Sequence, residues 1–228
     1  MQDFDTNWAG PEELKPRVYR TQSEKDTWMS VGVENEYELG PLQPDDVVID
    51  IGAHIGSFSH LAYRMGSRSI YAFEIDPWHI EAAVKNIEGM EDGIALYHCA
   101  VVRGDEYRAK QYYYAGAWNS FAAVGNPVAS LSLDEILEPH EAVRFLKMDC
   151  EGGEWPILYT CSQLSKVQEI VGEYHLDLQD APEIRNLSHE IGRGDLVQFL
   201  SSQGFTIVDT IPADETIGHF RAARVRPT

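Results

Sequence analysis

The segment VVIDIGAHIGSF, residues 47–58, limits the possible folds of this chain more than any other stretch. Its first part, VVIDI, is a short β-branched run that ends at Gly52, and such a run is typical of a buried strand. Apolar residues then recur at helical spacing before Gly66, namely Phe58, Leu61, Ala62 and Met65. The segment therefore predicts a strand, a glycine-containing turn and a helix.

The same alternation continues to the end of the chain. Further strands are predicted at 69–75, 94–102, 143–148 and 167–176, and helices after Asp76, around 154–165 and near 195–203. The last two apolar runs, FTIVDT and IGHFRAARV, indicate an antiparallel hairpin. Strands that alternate with helices predict one α/β domain with a mostly parallel sheet covered on both faces. We assign residues 41–228 to this domain and residues 1–40, where only VGVENEYELG suggests extended structure, to an N-terminal lead-in or cap.

The charge balance argues against polyanionic partners. The chain has 37 acidic and 18 basic residues and a formal net charge of -19, which repels phosphate backbones and anionic lipid surfaces. We therefore expect a small-molecule substrate, with no nucleic acid and no membrane partner, and the sequence does not indicate an oligomeric state. Three unpaired cysteines, the lack of an apolar N-terminal run and the lack of 18 consecutive apolar residues lead us to expect a cytoplasmic protein without a targeting peptide.

Acidic residues stand at the ends of the first two predicted strands, near the edge where open α/β sheets bind their ligands. Asp50 stands two residues before Gly52, and Glu74 ends the second strand, 24 residues further on. A carboxylate in that second place can accept hydrogen bonds from both hydroxyls of a ribose. This much fits either a dinucleotide or an adenosyl ligand.

The loop itself favours the adenosyl ligand. A dinucleotide-binding loop needs a bare glycine at its middle position so that a pyrophosphate can approach, but Ala53 or His54 stands there. An anionic Asp50 would repel a phosphate, whereas it would suit the ammonium group of S-adenosylmethionine, directly or through water. We therefore favour a methyl donor over a nicotinamide cofactor.

Four segments together resemble a known family. VVIDIGAHIGSFSHLA, YAFEIDP, SLSLDEIL and FLKMDCEGGEWPIL stand in the order and approximate spacing of the FkbM-type methyltransferases, which depend on S-adenosylmethionine. The similarity covers roughly residues 36–210, and its most specific part is L-K-x-D-x-E-G-x-E at 146–154. It implies a Rossmann-like class I methyltransferase fold, with a seven-stranded sheet and a C-terminal antiparallel hairpin.

The resemblance also implies a set of cofactor contacts. The methionine end would lie near Asp50, Gly52, Ala53, His54 and Gly56, with the backbone of His54 mattering more than its ring, and Asp149 would also contact the cofactor. The ribose would be held by Glu74, beside Ile75, and the adenine would lie at the corner formed by Cys99 and Ala100. We expect the other scattered histidines in this half, His60, His79 and His98, to be packing or surface groups.

The second half of the chain carries the candidate catalytic groups. Asp149 and Glu151 follow one strand two residues apart, so we expect them on one side of an extended chain, and Glu173 and His175 end the next strand with the same offset. If these strands are neighbours, all four groups meet at one edge of the sheet. Methyl transfer from a sulfonium to a hydroxyl requires removal of a proton, and His175, with an ordinary pKa of about 6.5, is the first candidate base. Asp149 is the second candidate base, and Glu173 completes the catalytic set.

The same groups have two other readings. Asp149, Glu173 and His175 could bind Mg²⁺ or Mn²⁺, in which case exhaustive chelation would abolish turnover. Alternatively, acids at this edge bind the substrate, as we expect for Glu151, or cap the next helix, for which Glu154 is the candidate.

An aromatic segment from Tyr112 to Asn126 follows the adenine corner. It forms either a hairpin face or a substrate wall, in which Trp118, Asn119 and Ser120 would contact a sugar or polyol. We therefore predict O-methylation of a small-molecule hydroxyl on a sugar, polyketide or other natural product. N-methylation of a small amine is the main alternative, followed by an RNA methyltransferase or an NAD-binding protein, although an Asn-Pro-Pro-aromatic segment and a basic stripe are both lacking.

Overall fold

A sheet of seven strands forms the centre of the protein in the computed structural model, which describes residues 8–104, 112–114, 126–175, 193–212 and 217–224. Its strands are β1 (Val47–Ile51), β2 (Ser69–Glu74), β3 (Ile94–His98), β8 (Phe145–Met148), β9 (Glu169–His175), β10 (Thr206–Pro212) and β11 (Ile217–Ala223). Two smaller pairs are formed by β4 (Ala100–Val102) with β7 (Ser130–Ser132), and by β5 (Tyr112–Tyr114) with β6 (Asn126–Val128).

The strand order confirms the predicted topology. Across the sheet the order is β3-β2-β1-β8-β9-β11-β10, and the first five strands run parallel to one another. Strand β11 is antiparallel to both β9 and β10, so the last two strands form the expected hairpin. The order reverses between β1 and β8, and this is the place where such sheets bind ligands.

Helices cover both faces of the sheet, as predicted. They are α1 (Gln22–Thr27), α2 (Ser57–Met65), α3 (Pro77–Asn86), α4 (Leu133–Leu137), α5 (Glu154–Thr160) and α6 (Arg193–Ser202). Because side chains alternate along a strand, Val48 joins a core with Phe58 and Leu61 of α2, whereas Ile49 joins a core with Trp155 of α5. The two faces thus bury separate apolar clusters. Among the described helices, none has both the length and the apolarity needed to cross a bilayer.

The N-terminal segment differs from the expectation of extended structure. Helix α1 starts with a capping box between Thr21 and Glu24, and a π-helical turn from Trp28 to Val33 continues it. Trp28 and Val31 are buried, Trp28 in a small apolar cluster with Ile55 and Val31 in the core that contains helix α2. The first three residues of the stretch expected to be extended, 31–33, therefore belong to a helical turn that packs against the domain.

Two predicted element boundaries were wrong. The predicted strand 94–102 breaks at Cys99, because the Cys99 N–H donates to the Glu74 carbonyl while the next residue pairs with the β7 region. The helix predicted to reach residue 165 ends at Thr160. The N–H groups of Ser162 and Gln163 donate to the Asp134 carboxylate and so do not continue the helical hydrogen-bond pattern.

Candidate active site

A cavity of about 500 Å³ opens at the carboxyl ends of β1, β2, β8 and β9. It is lined by residues that the sequence predicted for both the cofactor and the acceptor, including Gly52, His54, Glu74, Ala100, Asp149 and Glu173. Residues of the N-terminal segment, such as Glu24 and Thr27, form another part of its wall. A single cavity of this volume suits a ligand of cofactor size.

The turn after β1 requires glycine at one position. Gly52 has φ +77°, and a Cβ atom built there would lie 1.7 Å from the carbonyl oxygen of Asp149. The N–H groups of Gly52 and Ala53 both donate to the Phe73 carbonyl, which ties the turn to β2. His54 follows with φ +52°, an uncommon conformation for a residue that has a Cβ. The turn closes at Gly56, whose φ is +90°.

Glu74 is fixed by the backbone around it. Its two carboxylate oxygens accept hydrogen bonds from the N–H groups of His54 at 2.7 Å, Ile75 at 2.8 Å and Asp76 at 2.7 Å. Burial alone would raise the pKa of Glu74, but His79 and these N–H groups outweigh it and lower the pKa. An ionised, immobile carboxylate therefore faces the cavity where the ribose was predicted.

Apolar atoms line the cavity beside Glu74. They come from Ile75, Cys99, Ala100 and Val101, so the structure brings the predicted adenine corner next to the predicted ribose site. Burial raises the pKa of the Cys99 thiol to about 11, so this residue contributes a neutral apolar surface. This arrangement offers a flat apolar ring a place to bind.

Asp50 does not lie where its predicted role requires. Because it alternates with Ile49 and Ile51 along β1, its side chain points into the face covered by α2, where it is 0% exposed and accepts a hydrogen bond from Ser59 Oγ at 2.7 Å. It does not line the cavity. Burial keeps the Asp50 carboxylate from direct contact with a ligand in the cavity, and its predicted contact with a cofactor ammonium through water stays a prediction.

Sequence reasoning missed Lys147, which holds this part of the site together. Lys147 is the register partner of Asp50 on β8, and its Nζ lies 3.4 Å from Asp50 Oδ1 and 4.0 Å from Asp149 Oδ2. Nζ also donates to the Gly52 carbonyl at 2.7 Å. Burial would lower the pKa of Lys147, but the two carboxylates outweigh it and raise the pKa. The sequence could have indicated this role, because a lysine within the otherwise apolar run FLKM is expected to be buried and therefore paired with a carboxylate.

The predicted convergence of four titratable groups is present. His175 Nε2 lies 3.4 Å from Glu151 Oε2 and 3.4 Å from Glu173 Oε2, and Glu173 Oε1 lies 3.0 Å from His219 Nε2. Asp149 and Glu151 do not share one side of an extended chain, because β8 ends at Met148 and Glu151 turns with φ +53°. The turn brings Glu151 toward His175 instead.

The pKa of His175 in the fold differs from the ordinary value of a histidine. Burial would lower the pKa of His175, but the carboxylates of Glu154, Glu173 and Glu151 outweigh it and raise the pKa to about 11. His175 is therefore a cation at neutral pH, and it is not among the residues that line the cavity. A protonated imidazole cannot accept a proton, so the structure favours Asp149 over His175 as the base.

The edge of the sheet that carries Asp149, Glu151, Glu173 and His175, here called the acidic edge, contains a possible metal-binding set that differs slightly from the predicted one. Donor atoms of Asp149, Glu151 and His175 lie within 4.8 Å of one another, so Glu151 takes the place expected for Glu173. His175 and His219 lower the pKa of Glu173 to about 2, which leaves it paired with both imidazoles. A metal at this edge would have to displace the proton of His175.

Some predicted substrate contacts cannot be placed. Trp118, Asn119 and Ser120 lie outside the described residues. Glu151 is described, lines the cavity and is about half exposed, so a substrate can reach it.

The sheet order, the glycine turn after β1 and the fixed carboxylate after β2 define a Rossmann-like methyltransferase fold. The sequence matches the Methyltransferase FkbM domain over residues 50–207. The chain belongs to this family, which confirms the resemblance seen in the sequence. No curated protein matches it significantly.

Several solved structures are similar at low identity. Precorrin-6y C5,15-methyltransferase from Geobacter metallireducens is 16% identical, with 97% of this chain and 96% of that chain covered and a TM-score of 0.46. TrmK of M. capricolum, solved with S-adenosyl-homocysteine, is 12% identical over 91% of this chain and 70% of that chain, with a TM-score of 0.48. Fibrillarin of Aeropyrum pernix, solved with bound S-adenosyl-L-methionine, is 11% identical over 86% of this chain and 74% of that chain, also with a TM-score of 0.48. Similarity at this level does not transfer a substrate.

Proposed function

We propose that this methyltransferase transfers the methyl group of S-adenosylmethionine to a hydroxyl of a small molecule, such as a sugar, a polyketide or another natural product. One observation carries the proposal: a single cavity of about 500 Å³ connects the fixed carboxylate of Glu74 with the acidic edge at Asp149 and Glu173. A methyl donor and an acceptor must meet in one enclosed space, because the transfer is an in-line displacement that depends on alignment.

The strand order supports one orientation of the donor. Glu74 ends β2, the glycine turn follows β1, and Asp149 follows β8, so these groups succeed one another across three adjacent strands. A ribose at Glu74 puts the adenine beside Ala100 and directs the sulfonium toward β8. The acceptor then occupies the part of the cavity next to Glu173 on β9.

Asp149 is the proposed general base. The acceptor oxygen attacks the methyl carbon, the carbon–sulfur bond breaks to release S-adenosylhomocysteine, and the hydroxyl proton passes to the Asp149 carboxylate. Burial and Glu173 raise the pKa of Asp149 despite the opposing effect of Lys147, which makes it a better base than a solvated aspartate. A base in this position contributes about 10²- to 10⁴-fold to the rate.

Glu173 would orient the acceptor. His175 and His219 hold its carboxylate in the ionised form, and it lines the cavity, so it can accept a hydrogen bond from the substrate hydroxyl. The same carboxylates would attract an ammonium group, and this specific feature favours a small amine as the second candidate acceptor. The net charge of -19 opposes an RNA substrate.

We further propose that residues 1–40 cap the cavity. Thr21, Ser23, Glu24 and Thr27 line it, and the side chain of Asn86 on α3 bonds the backbone N–H and carbonyl of Val18 at 2.8 Å and 3.0 Å. A segment anchored in this way would exclude water from the reaction.

Two experiments test the proposed function. Thermal unfolding is measured with S-adenosylhomocysteine and with NAD, and we expect stabilisation by the first alone; stabilisation by NAD alone would overturn the proposal. Transfer from S-adenosylmethionine with a labelled methyl group is then measured against polyols and sugars, small amines, and RNA. Labelling of hydroxyl compounds supports the O-methyl assignment, labelling of amines alone replaces it with N-methylation, and labelling of RNA alone contradicts both.

A further inference from the structure

Three potential metal ligands meet in the cavity wall, away from the acidic edge. Glu24 comes from α1, His54 from the turn after β1 and His79 from the first turns of α3, and their donor atoms all lie within 4.8 Å of one another. All three residues line the cavity. Glu24 and His79 are 55 positions apart in the sequence, so only the fold brings these groups together.

The imidazole of His54 has an unexplained polar atom. Its Nδ1 is buried and has no hydrogen-bond partner, which is costly for a nitrogen that would be solvated in the unfolded chain. The ring packs edge-on against His79, with the centroids 4.2 Å apart. A bound cation would satisfy this nitrogen, because two other potential ligand groups lie beside it.

The surroundings of His79 are strongly acidic. Its Nε2 lies 3.8 Å from Glu24 Oε1, and its Nδ1 lies 3.9 Å from Glu74 Oε1 and 4.0 Å from Asp76 Oδ2. Three carboxylates therefore surround one imidazole, and a divalent ion would neutralise more of this charge than a single proton does.

Glu24 presents one oxygen to this cluster and is fixed by the other. Its Oε2 accepts hydrogen bonds from the backbone N–H groups of Arg20 at 2.5 Å and Thr21 at 3.3 Å. Its Oε1 faces His79 and accepts only a long hydrogen bond, 3.3 Å, from Trp78 Nε1 among the described residues. The carboxylate is thus held in place with one oxygen available.

We propose that Glu24, His54 and His79 bind a divalent transition-metal ion of the zinc type. Two imidazoles and one carboxylate are a common protein ligand set for zinc, and the cavity supplies space for water at the fourth position. Donors on one zinc ion stand about 3.3 Å apart, since each bond is about 2.0–2.1 Å long. The three donor atoms, which now lie within 4.8 Å, would close by at most about 1.5 Å through side-chain rotation.

The ion would join three separate parts of the chain. It would tie α1 to the turn after β1 and to α3, and so fix the N-terminal wall of the cavity next to Glu74. This inference goes beyond the proposed function, because the chain can bind the ion without donor or acceptor.

Cobalt binding to the chain without an affinity tag tests the proposal. Metal is first removed with a chelator, and Co²⁺ is titrated while heat and visible absorption are recorded. We expect one site with the absorption of tetrahedral cobalt, and a His79→Gln variant should bind at least about tenfold more weakly. A matched His140→Gln variant, altered in a histidine that packs on Tyr71, should bind like the wild type.

The same titration distinguishes this site from the acidic edge. His175→Gln should keep the affinity; loss in His175→Gln together with unchanged binding in His79→Gln would overturn the proposal, as would no Co²⁺ binding by the wild type. If circular dichroism reveals that His79→Gln is unfolded, Glu24→Gln takes its place with the same expected loss. Unchanged affinity in Glu24→Gln would then contradict the assignment.

Discussion

The buried pair of Asp50 and Lys147 connects β1 with β8 next to the glycine turn, and its removal has a calculable cost. The two residues face each other across β1 and β8 with Nζ and Oδ1 3.4 Å apart, and both are buried. Unit charges at this distance interact by about 5 kcal/mol at an effective dielectric constant of about 20. Loss of one partner leaves the other charge buried and uncompensated, which costs about 3–5 kcal/mol.

We therefore expect Lys147→Met to lower the free energy of unfolding by about 3–5 kcal/mol. Methionine keeps much of the apolar stem, so the loss reports mainly on the ammonium group. The double variant Asp50→Asn, Lys147→Met should recover about 2 kcal/mol of this loss, because the buried charge is then absent.

Urea unfolding followed by tryptophan fluorescence measures these free energies, with circular dichroism to verify the native fold. Lys85→Met, on the exposed side of α3, is the matched control and should change stability by less than about 0.5 kcal/mol. A loss below about 1 kcal/mol in Lys147→Met, or strict additivity of the two substitutions, would refute the role assigned to this pair.

Three further predictions follow from particular contacts. Gly52→Ala should destabilise the fold by more than about 2 kcal/mol and abolish cofactor binding, because the new Cβ atom would collide with the carbonyl oxygen of Asp149. Gly89 has a similar φ but open space around it, so Gly89→Ala should cost only about 1 kcal/mol in the same urea experiment. Burial lowers the pKa of His60 from about 6.5 to about 4, so the folded state disfavours protonation of this residue. The free energy of unfolding should therefore fall by up to about 3 kcal/mol as the pH drops from 6.5 to 4. Unfolding curves measured across this range should show a smaller loss for His60→Phe. Asp149→Asn should lower kcat by about 10²- to 10⁴-fold. If Asp149 is the base, the pH profile of kcat should show no change near pH 6.5 that depends on His175. A change near pH 6.5 that is present in the wild type and absent in His175→Gln would restore His175 as the base.

The sequence predicted the sheet well because its strands carry strong local signals. The β-branched run at 47–51 and the capped start of α3 at Asp76 need no tertiary information, and both elements formed at the expected positions. The strand predicted through Cys99 failed because β4 pairs with β7, a choice made by distant residues that local pattern cannot indicate. Helix α5 ends earlier than predicted for the same reason, since the N–H of Ser162 donates to the carboxylate of Asp134 on helix α4.

The sequence predicted several residues that line the cavity, but it did not predict the electrostatics around them. Strand ends identified Glu74, Asp149 and Glu173 because parallel strands finish at one edge of a sheet. The pKa of His175 depends on Glu154, which the sequence suggested only as a helix cap, so its cationic state needed the three-dimensional arrangement. The burial of Asp50 could have been anticipated from the alternation of side chains along β1, but its partner Lys147 lies 97 residues away.

Calorimetric titration with S-adenosylhomocysteine tests whether the cavity binds S-adenosylmethionine with its ribose on Glu74. Wild-type protein should bind one equivalent, Glu74→Gln should bind at least about tenfold more weakly, since a charge-assisted hydrogen bond is worth about 1.5–3 kcal/mol, and Glu81→Gln on the exposed face of α3 should bind like the wild type. Equal affinity in the wild type and in Glu74→Gln, or no binding by the wild type, would contradict the account.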